Sequence, residues 1–251
     1  MSEVMIENIE KYLVLIASQN GSANNYSTHG TGFLVSIKDK AYVVTCRHVA
    51  RSLENDIVRF VITNPKRSTN INALIISDPI YYNLEEPYVD MCLMKLCEYP
   101  ASVLNANGIN TINLDELNRV INVTTETELI AYGYPYDFVL KYMLENKPNV
   151  NMPISTISCT VTNWSLGQSS YNPINIENRD LYDSSSIVLT HTKNNILYSE
   201  GMSGGPVLQQ TTRRLCGIII GGGQTTSNNN TTNILVITPI SYLINMLNRL
   251  T

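Results

Sequence analysis

The stretch "SEGMSGGPVL", residues 199–208, surrounds one hydroxyl with three glycines and then meets a proline. Gly201, Gly204 and Gly205 can take backbone angles closed to other residues, at a cost in chain entropy. They also leave backbone N–H groups uncovered, so another molecule can come close to them. Two readings follow. The segment is either a tight turn, or a loop in which Ser203 is a nucleophile and the N–H groups hold an oxyanion.

A serine hydroxyl is a weak nucleophile. It needs a general base, usually histidine, held in one tautomer by a carboxylate. The chain has three histidines, His29, His48 and His191. His29 falls in "ANNYSTHGTG", which reads as a solvated hairpin, and His191 in "IVLTHTKNN" reads as a surface or structural histidine. His48 lies in "VVTCRHVA", where an apolar strand stops at Thr45 and a new segment begins. A strand end fixes a side chain better than a loop tip does.

Chain order then limits the arrangement. Gly201-Met202-Ser203-Gly204-Gly205 satisfies G-x-S-x-G, but an α/β-hydrolase needs its acid and histidine after the serine. No Asp, Glu or His follows Ser203. A subtilisin order needs an aspartate before the histidine, and only Asp39, in the charged turn "KDKA", precedes His48. The order His, Asp, Ser remains. Asp90, in "YVDMCLMKL", stands at the head of an apolar strand, where a carboxylate is partly buried and needs a partner; the plainer use of such an Asp is to cap a turn. Glu54 and Asp56 in "SLENDIV" are nearer to His48 in sequence and read as polar surface after a short helix.

Outward from these residues, the chain reads as short strands. "KYLVLIAS", "TGFLVSI", "AYVVT", "VRFVIT", "NALIIS" and "DMCLMKL" are β-branched and aliphatic runs bounded by polar segments. After a looser stretch come "ELIAYGY", "ISTISCTVT", "SSIVLTHT", "GPVLQQ", "LCGIIIGG" and "NILVIT". Two clusters of strands predict two β-barrels or sandwiches side by side, over residues 1–104 and 126–251 with a linker at 105–125. Ile240, Leu243, Ile244, Leu247 and Leu250 follow Pro239 at helical spacing and predict a closing amphipathic helix.

Bulk properties exclude several classes. Charged residues make up 15% of the 251 and the net charge is −4, so nucleic acid is not an expected partner. No apolar run approaches the roughly 20 residues of a membrane-spanning helix. The N-terminal apolar run is too short, and its flank too acidic, for a signal peptide. Five scattered cysteines, Cys46, Cys92, Cys97, Cys159 and Cys216, read as free thiols in a reducing compartment, which predicts a cytoplasmic protein. Cys46 and His48 make only a lone pair of metal-ligand types, so no metal is expected.

With "GTGFLV" and "YVVTCRHVA", then "VDMCLMKL", then "EGMSGGPVL" in this order, the chain resembles a trypsin-like serine protease of chymotrypsin fold. "IAYGYP" and "CGIIIGGG…ILVITPISYLI" are similar to second-barrel strands and the closing helix of its HtrA-like branch. The resemblance runs from about residue 10 onward. It implies an all-β fold of two six-stranded antiparallel β-barrels with a C-terminal α-helix, and a polypeptide substrate cut in the cleft between them. It makes His48 the base, Asp90 its orienting acid and Ser203 the nucleophile, with the N–H groups of Gly201 and Ser203 as oxyanion hole. The primary pocket is expected near Leu197, with the backbone of Ile220, Gly221 and Gly222 pairing to an extended substrate. An apolar or small side chain is the expected preference, with Asp180 and Asp183 able to line a pocket if their loop folds inward.

The chain also departs from the family. Met202 stands where secreted relatives carry an aspartate that pairs with a processed N-terminus, so activation by that ion pair is not expected. The relatives' disulfides have no counterpart here, and no PDZ domain is expected after the helix. The resemblance implies no cofactor. The expected function is an intracellular serine endopeptidase. Its rival is a protease-fold peptide-binding module that is catalytically silent, or silent until an activating protein partner orders the oxyanion loop. An esterase-like or self-processing activity ranks third.

Overall fold

The computed structural model describes residues 6–19, 26–63, 73–82, 89–97, 99–114, 126–137, 139, 154–161, 172–174, 188–193, 198–227 and 230–250. The predicted pocket residues Leu197, Asp180 and Asp183 lie outside them.

The first half is a barrel. Strands β1 (Leu13–Gln19), β2 (Tyr26–Ile37), β3 (Lys40–Thr45), β4 (Val58–Thr63), β5 (Ala73–Tyr81) and β6 (Cys92–Leu96) hydrogen-bond in the order β1-β4-β5-β6-β3-β2, and β1–β2 pairing closes the ring. The second half repeats this with β8 (Glu128–Gly133), β9 (Ser155–Val161), β11 (Val188–Thr192), β12 (Pro206–Gln209), β13 (Leu215–Ser227) and β14 (Asn230–Pro239), in the order β13-β12-β8-β9-β11-β14, closed by β13–β14. The fold is thus two six-stranded antiparallel barrels with a C-terminal helix, as the strand pattern and the resemblance predict.

Each barrel gains one short strand that the apolar pattern does not mark. β7 (Ile112–Asn113) joins β2 in parallel, and β10 (Asn172–Ile174) joins β13. Neither run is long enough to show a period.

Alternation along the strands sorts inside from outside. In β9, Ile157, Cys159 and Val161 are buried while Thr156 faces out. In β6 only Lys95 of the five residues is exposed. Between β2 and β3, Lys38 and Asp39 both have positive φ (45° and 62°), the conformation of a two-residue primed hairpin turn. The Asp39 carboxylate there accepts from Ser102 N (2.7 Å) and Ser102 Oγ (3.0 Å), at the start of helix α2 (Ala101–Ala106). Asp39 therefore serves a helix start.

The halves share core and cross at their ends. Tyr132, Tyr134, Ile218, Ile220, Leu243 and Met246 of the second half join the apolar cluster of the first. Helix α3 (Ser241–Leu250) buries Leu243, Met246 and Leu247. Its first and last turns both meet the first barrel: Tyr242 packs edge-on against Tyr82 at 5.3 Å, and Arg249 lies over the Tyr82 ring while donating to Tyr82 O. In the opposite sense, Ile6 N donates to Arg213 O of the second barrel.

Candidate active site

β3 ends at Thr45, and after Cys46 the chain turns into the one-turn helix α1 (Arg47–Arg51). A helix start leaves N–H groups without intrahelical partners. The His48 N–H donates to Asp90 Oδ1 at 3.0 Å, and His48 Nδ1 lies 2.6 Å from Asp90 Oδ2. One carboxylate thus holds both the backbone and the ring of the same histidine. The Asp90 carboxyl is wholly buried, while the His48 ring keeps 15% exposure. A carboxylate accepts, so Nδ1 carries the ring proton and Nε2 presents its lone pair.

Ser203 reaches the same place from the other barrel. A cleft of about 350 Å³ is lined by His48, Ser203, Gly201 and Tyr198, with Thr28, His29, Ser52 and Glu200 among its other walls. His48, Asp90, Ser203 and Gly201, read separately from the sequence, are thereby brought together. Gly201 and Gly204 both require glycine: φ is +88° and +87°. The peptides on either side of Gly201 are fixed. Glu200 O accepts from Tyr136 N at 2.6 Å, and Gly201 O accepts from Thr31 Oγ1 at 2.7 Å.

The edge expected to pair with substrate is already taken at Gly222. Gly222 stands opposite Leu235 of β14 on one side and Ile174 of β10 on the other. The register shift between Ile219 and Gly221 leaves Ile220 without a β14 partner of its own, and its side chain is buried.

Two residues of the site escaped the sequence reading. Thr31, on β2 of the first barrel, donates its N–H to Ser203 O (2.9 Å), accepts from Tyr134 N at its Oγ1 (2.8 Å), and holds Gly201 O as above. Its signal was the pair of flanking glycines: a Cβ at Gly30 would sit 2.9 Å from Val49 Cγ2 and 3.1 Å from Ser203 O. Tyr198, one residue beyond the predicted Leu197, places its hydroxyl 2.7 Å from Ser203 Oγ.

His29 corrects its sequence reading. It lies within β2 rather than in a solvated hairpin, and its ring faces the cleft. Nε2 is 2.6 Å from Ser18 Oγ and 3.5 Å from Asp56 Oδ2, and Nδ1 is 2.8 Å from Ser52 Oγ. Burial lowers its pKa, against the raising effect of the Asp56 charge, and burial lowers His191 too. Both rings then bind a proton more readily in the unfolded chain. Their contribution to stability is complete above about pH 6.5 and is lost as pH falls toward the folded-state values. The urea midpoint is expected to drop between pH 7.5 and 5.5, and to drop less in His29→Gln. An equal drop in both would remove His29 from the account.

Cys46 Sγ, a His48 nitrogen and an Asp90 oxygen lie within 4.8 Å of one another. These groups are already engaged: the thiol donates to Ile219 O at 3.0 Å, and Nδ1 belongs to Asp90. Burial, with the Asp90 charge second, pushes the Cys46 thiol well up, so it stays protonated and is a poor nucleophile. Burial likewise pushes Cys159 up to about 11 and Cys216 up to about 12. All five cysteines are free and only Cys97 is exposed. A thiol reagent is expected to modify one cysteine rapidly in the native protein and five after denaturation; fast native modification at Cys46 would contradict this burial.

Residues 30–218 match the trypsin-like peptidase domain. The chain belongs to the trypsin-like peptidase family. Among solved structures, it is similar to kallikrein-related peptidase 10, with a TM-score of 0.59 over 96% of this chain and 97% of that one, at 16% identity. At that identity the likeness concerns the fold. No curated protein matches the sequence. For a trypsin-like peptidase domain the implied substrates are polypeptides.

Proposed function

We propose that the chain is a serine endopeptidase, with His48 as general base, Asp90 as its orienting acid and Ser203 as nucleophile. The observation that carries this is the two-point hold of Asp90 on His48 beside a cleft shared with Ser203. Ser203 Oγ attacks the scissile carbonyl while its proton passes to His48 Nε2. The imidazolium that forms keeps its Nδ1–H on Asp90. It then gives the proton to the leaving amine, and water cleaves the acyl-enzyme by the same route in reverse.

The oxyanion falls to the N–H groups of Gly201 and Ser203. A trans peptide points its N–H opposite its C=O. With Glu200 O turned to Tyr136 N, the Gly201 N–H faces the other way, and Thr31 holds the next peptide. A loop fixed in this manner supports a hole formed without an activating partner.

The HtrA-like placement belongs to this proposal and is supported by "GTGFLV", "VVTCRHVA" and "ILVITPISYLI". So do the two halves at 1–104 and 126–251. A cytoplasmic location is supported by five free thiols; no described helix is long and apolar enough to cross a membrane.

The second reading, a silent peptide-binding module, is favoured by one contact, the bond from the buried Tyr198 hydroxyl to Ser203 Oγ. A fluorophosphonate separates the two. The proposed enzyme gains the mass of one adduct, and a folded protein that gains none is the binding module.

A further inference from the structure

Tyr198 is 6% exposed, yet its side chain forms part of the cleft wall. One end of it abuts β13: a Cβ built on Gly222 would lie 2.3 Å from Tyr198 Cβ and 2.7 Å from Cγ. The other end is the hydroxyl, 2.7 Å from Ser203 Oγ. The phenol therefore bridges the β13 backbone and the nucleophile. The backbone behind it is fixed, because Gly222 is paired to Leu235 and Ile174 on its two sides.

An extended peptide offering its carbonyl to Ser203 beside Ile220 and Gly221, short of the β10 pairing at Gly222, must place the side chain of its acyl residue between the β13 backbone and Ser203. We infer that Tyr198 fills this recess, so the chain accepts glycine or alanine on the acyl side of the bond it cuts and refuses bulky residues. This rests on Ser203 being the nucleophile. Proton counting leaves room for both roles. Burial pushes the Tyr198 phenol up, so it remains an O–H donor. When it donates to Ser203 Oγ, the serine proton stays free for His48. Selection lies in the ring and not in the hydroxyl, so removing the hydroxyl alone preserves it.

The test uses three phosphorus probes on the full chain, read by intact mass. Diisopropyl fluorophosphate asks only for an activated serine. Two peptidyl diphenyl phosphonates add an alanine-like or a phenylalanine-like side chain. In each case the Ser203 Oγ–P bond forms as the P–F or P–OPh bond breaks, and the serine proton leaves with fluoride or phenol. Wild type and Tyr198→Phe are expected to react with the alanine probe far faster than with the phenylalanine probe. Tyr198→Ala is expected to raise the phenylalanine-to-alanine rate ratio roughly a hundredfold, as when a pocket gains or loses room.

A wild type that takes the two phosphonates equally overturns the inference, and so does a ratio unmoved in a folded Tyr198→Ala. If Tyr198→Ala fails to fold, the ratios of wild type and Tyr198→Phe still decide. If diisopropyl fluorophosphate labels none of the folded proteins, the nucleophile reading itself fails and takes the inference with it, an outcome distinct from loss of selectivity in a labelled protein.

Discussion

Ser203→Ala is expected to abolish fluorophosphonate labelling and to lower peptide turnover by about 10⁶, with His48→Ala close behind. The two effects do not add, because an unactivated serine and a base without a serine are equally idle. Asp90→Asn is the more informative neighbour. An amide at that position still accepts from the His48 N–H, but it can turn an N–H toward Nδ1 and force the ring proton onto Nε2. The base would then face Ser203 with a hydrogen in place of a lone pair, for a loss of about 10⁴ in turnover. Intact mass after labelling, beside a thermal melt to establish folding, reads all three variants. Labelling of Ser203→Ala at the wild-type rate would sink the assignment.

Gly204→Ala is expected to cost about 4 kcal/mol of stability, among the largest losses a single methyl can cause. At φ +87° an alanine is strained before any contact is counted. The added Cβ would also lie 2.1 Å from Thr31 O and 2.2 Å from Thr45 Oγ1, which are already bonded to each other at 2.8 Å. Neither can yield cheaply: Thr31 O is backbone in a closed barrel, and both residues are fully buried. The measure is the urea midpoint. A midpoint equal to wild type would mean that the serine loop moves away from the first barrel at little cost.

That His48, Asp90 and Ser203 come near one cleft was legible because a base, an acid and a nucleophile restrict both residue type and chain order, and the absence of any acid or histidine after Ser203 removed the competing arrangements. The twelve longer strands were legible because each carries an apolar run with turn residues on both sides. β7 and β10 were not, since two or three residues show no period and owe their state to the neighbour they pair with. His29 was misread for a related reason. Its surroundings in sequence are polar and small, while the groups that enclose it, Ser18, Ser52 and Asp56, come from elsewhere in the chain. Tyr198 was not singled out: proximity to Ser203 was readable, but its place against Gly222 depends on a strand from elsewhere in the chain.

The crossing of the two ends bears on how such a molecule survives its own company. A chain proposed to cut peptides meets other copies of itself, and cleavage requires a segment to unfold locally into another molecule's cleft. Chain ends are usually the first to fray. Here residue 6 is tied to Arg213, and Tyr242 and Arg249 of α3 pack on Tyr82, so each of these two segments is held by the barrel it does not belong to. The same contacts that hold these segments down also tie one half to the other. The contacts that cross between the halves thus also make these segments poor substrates for another copy of a chain proposed to cut peptides.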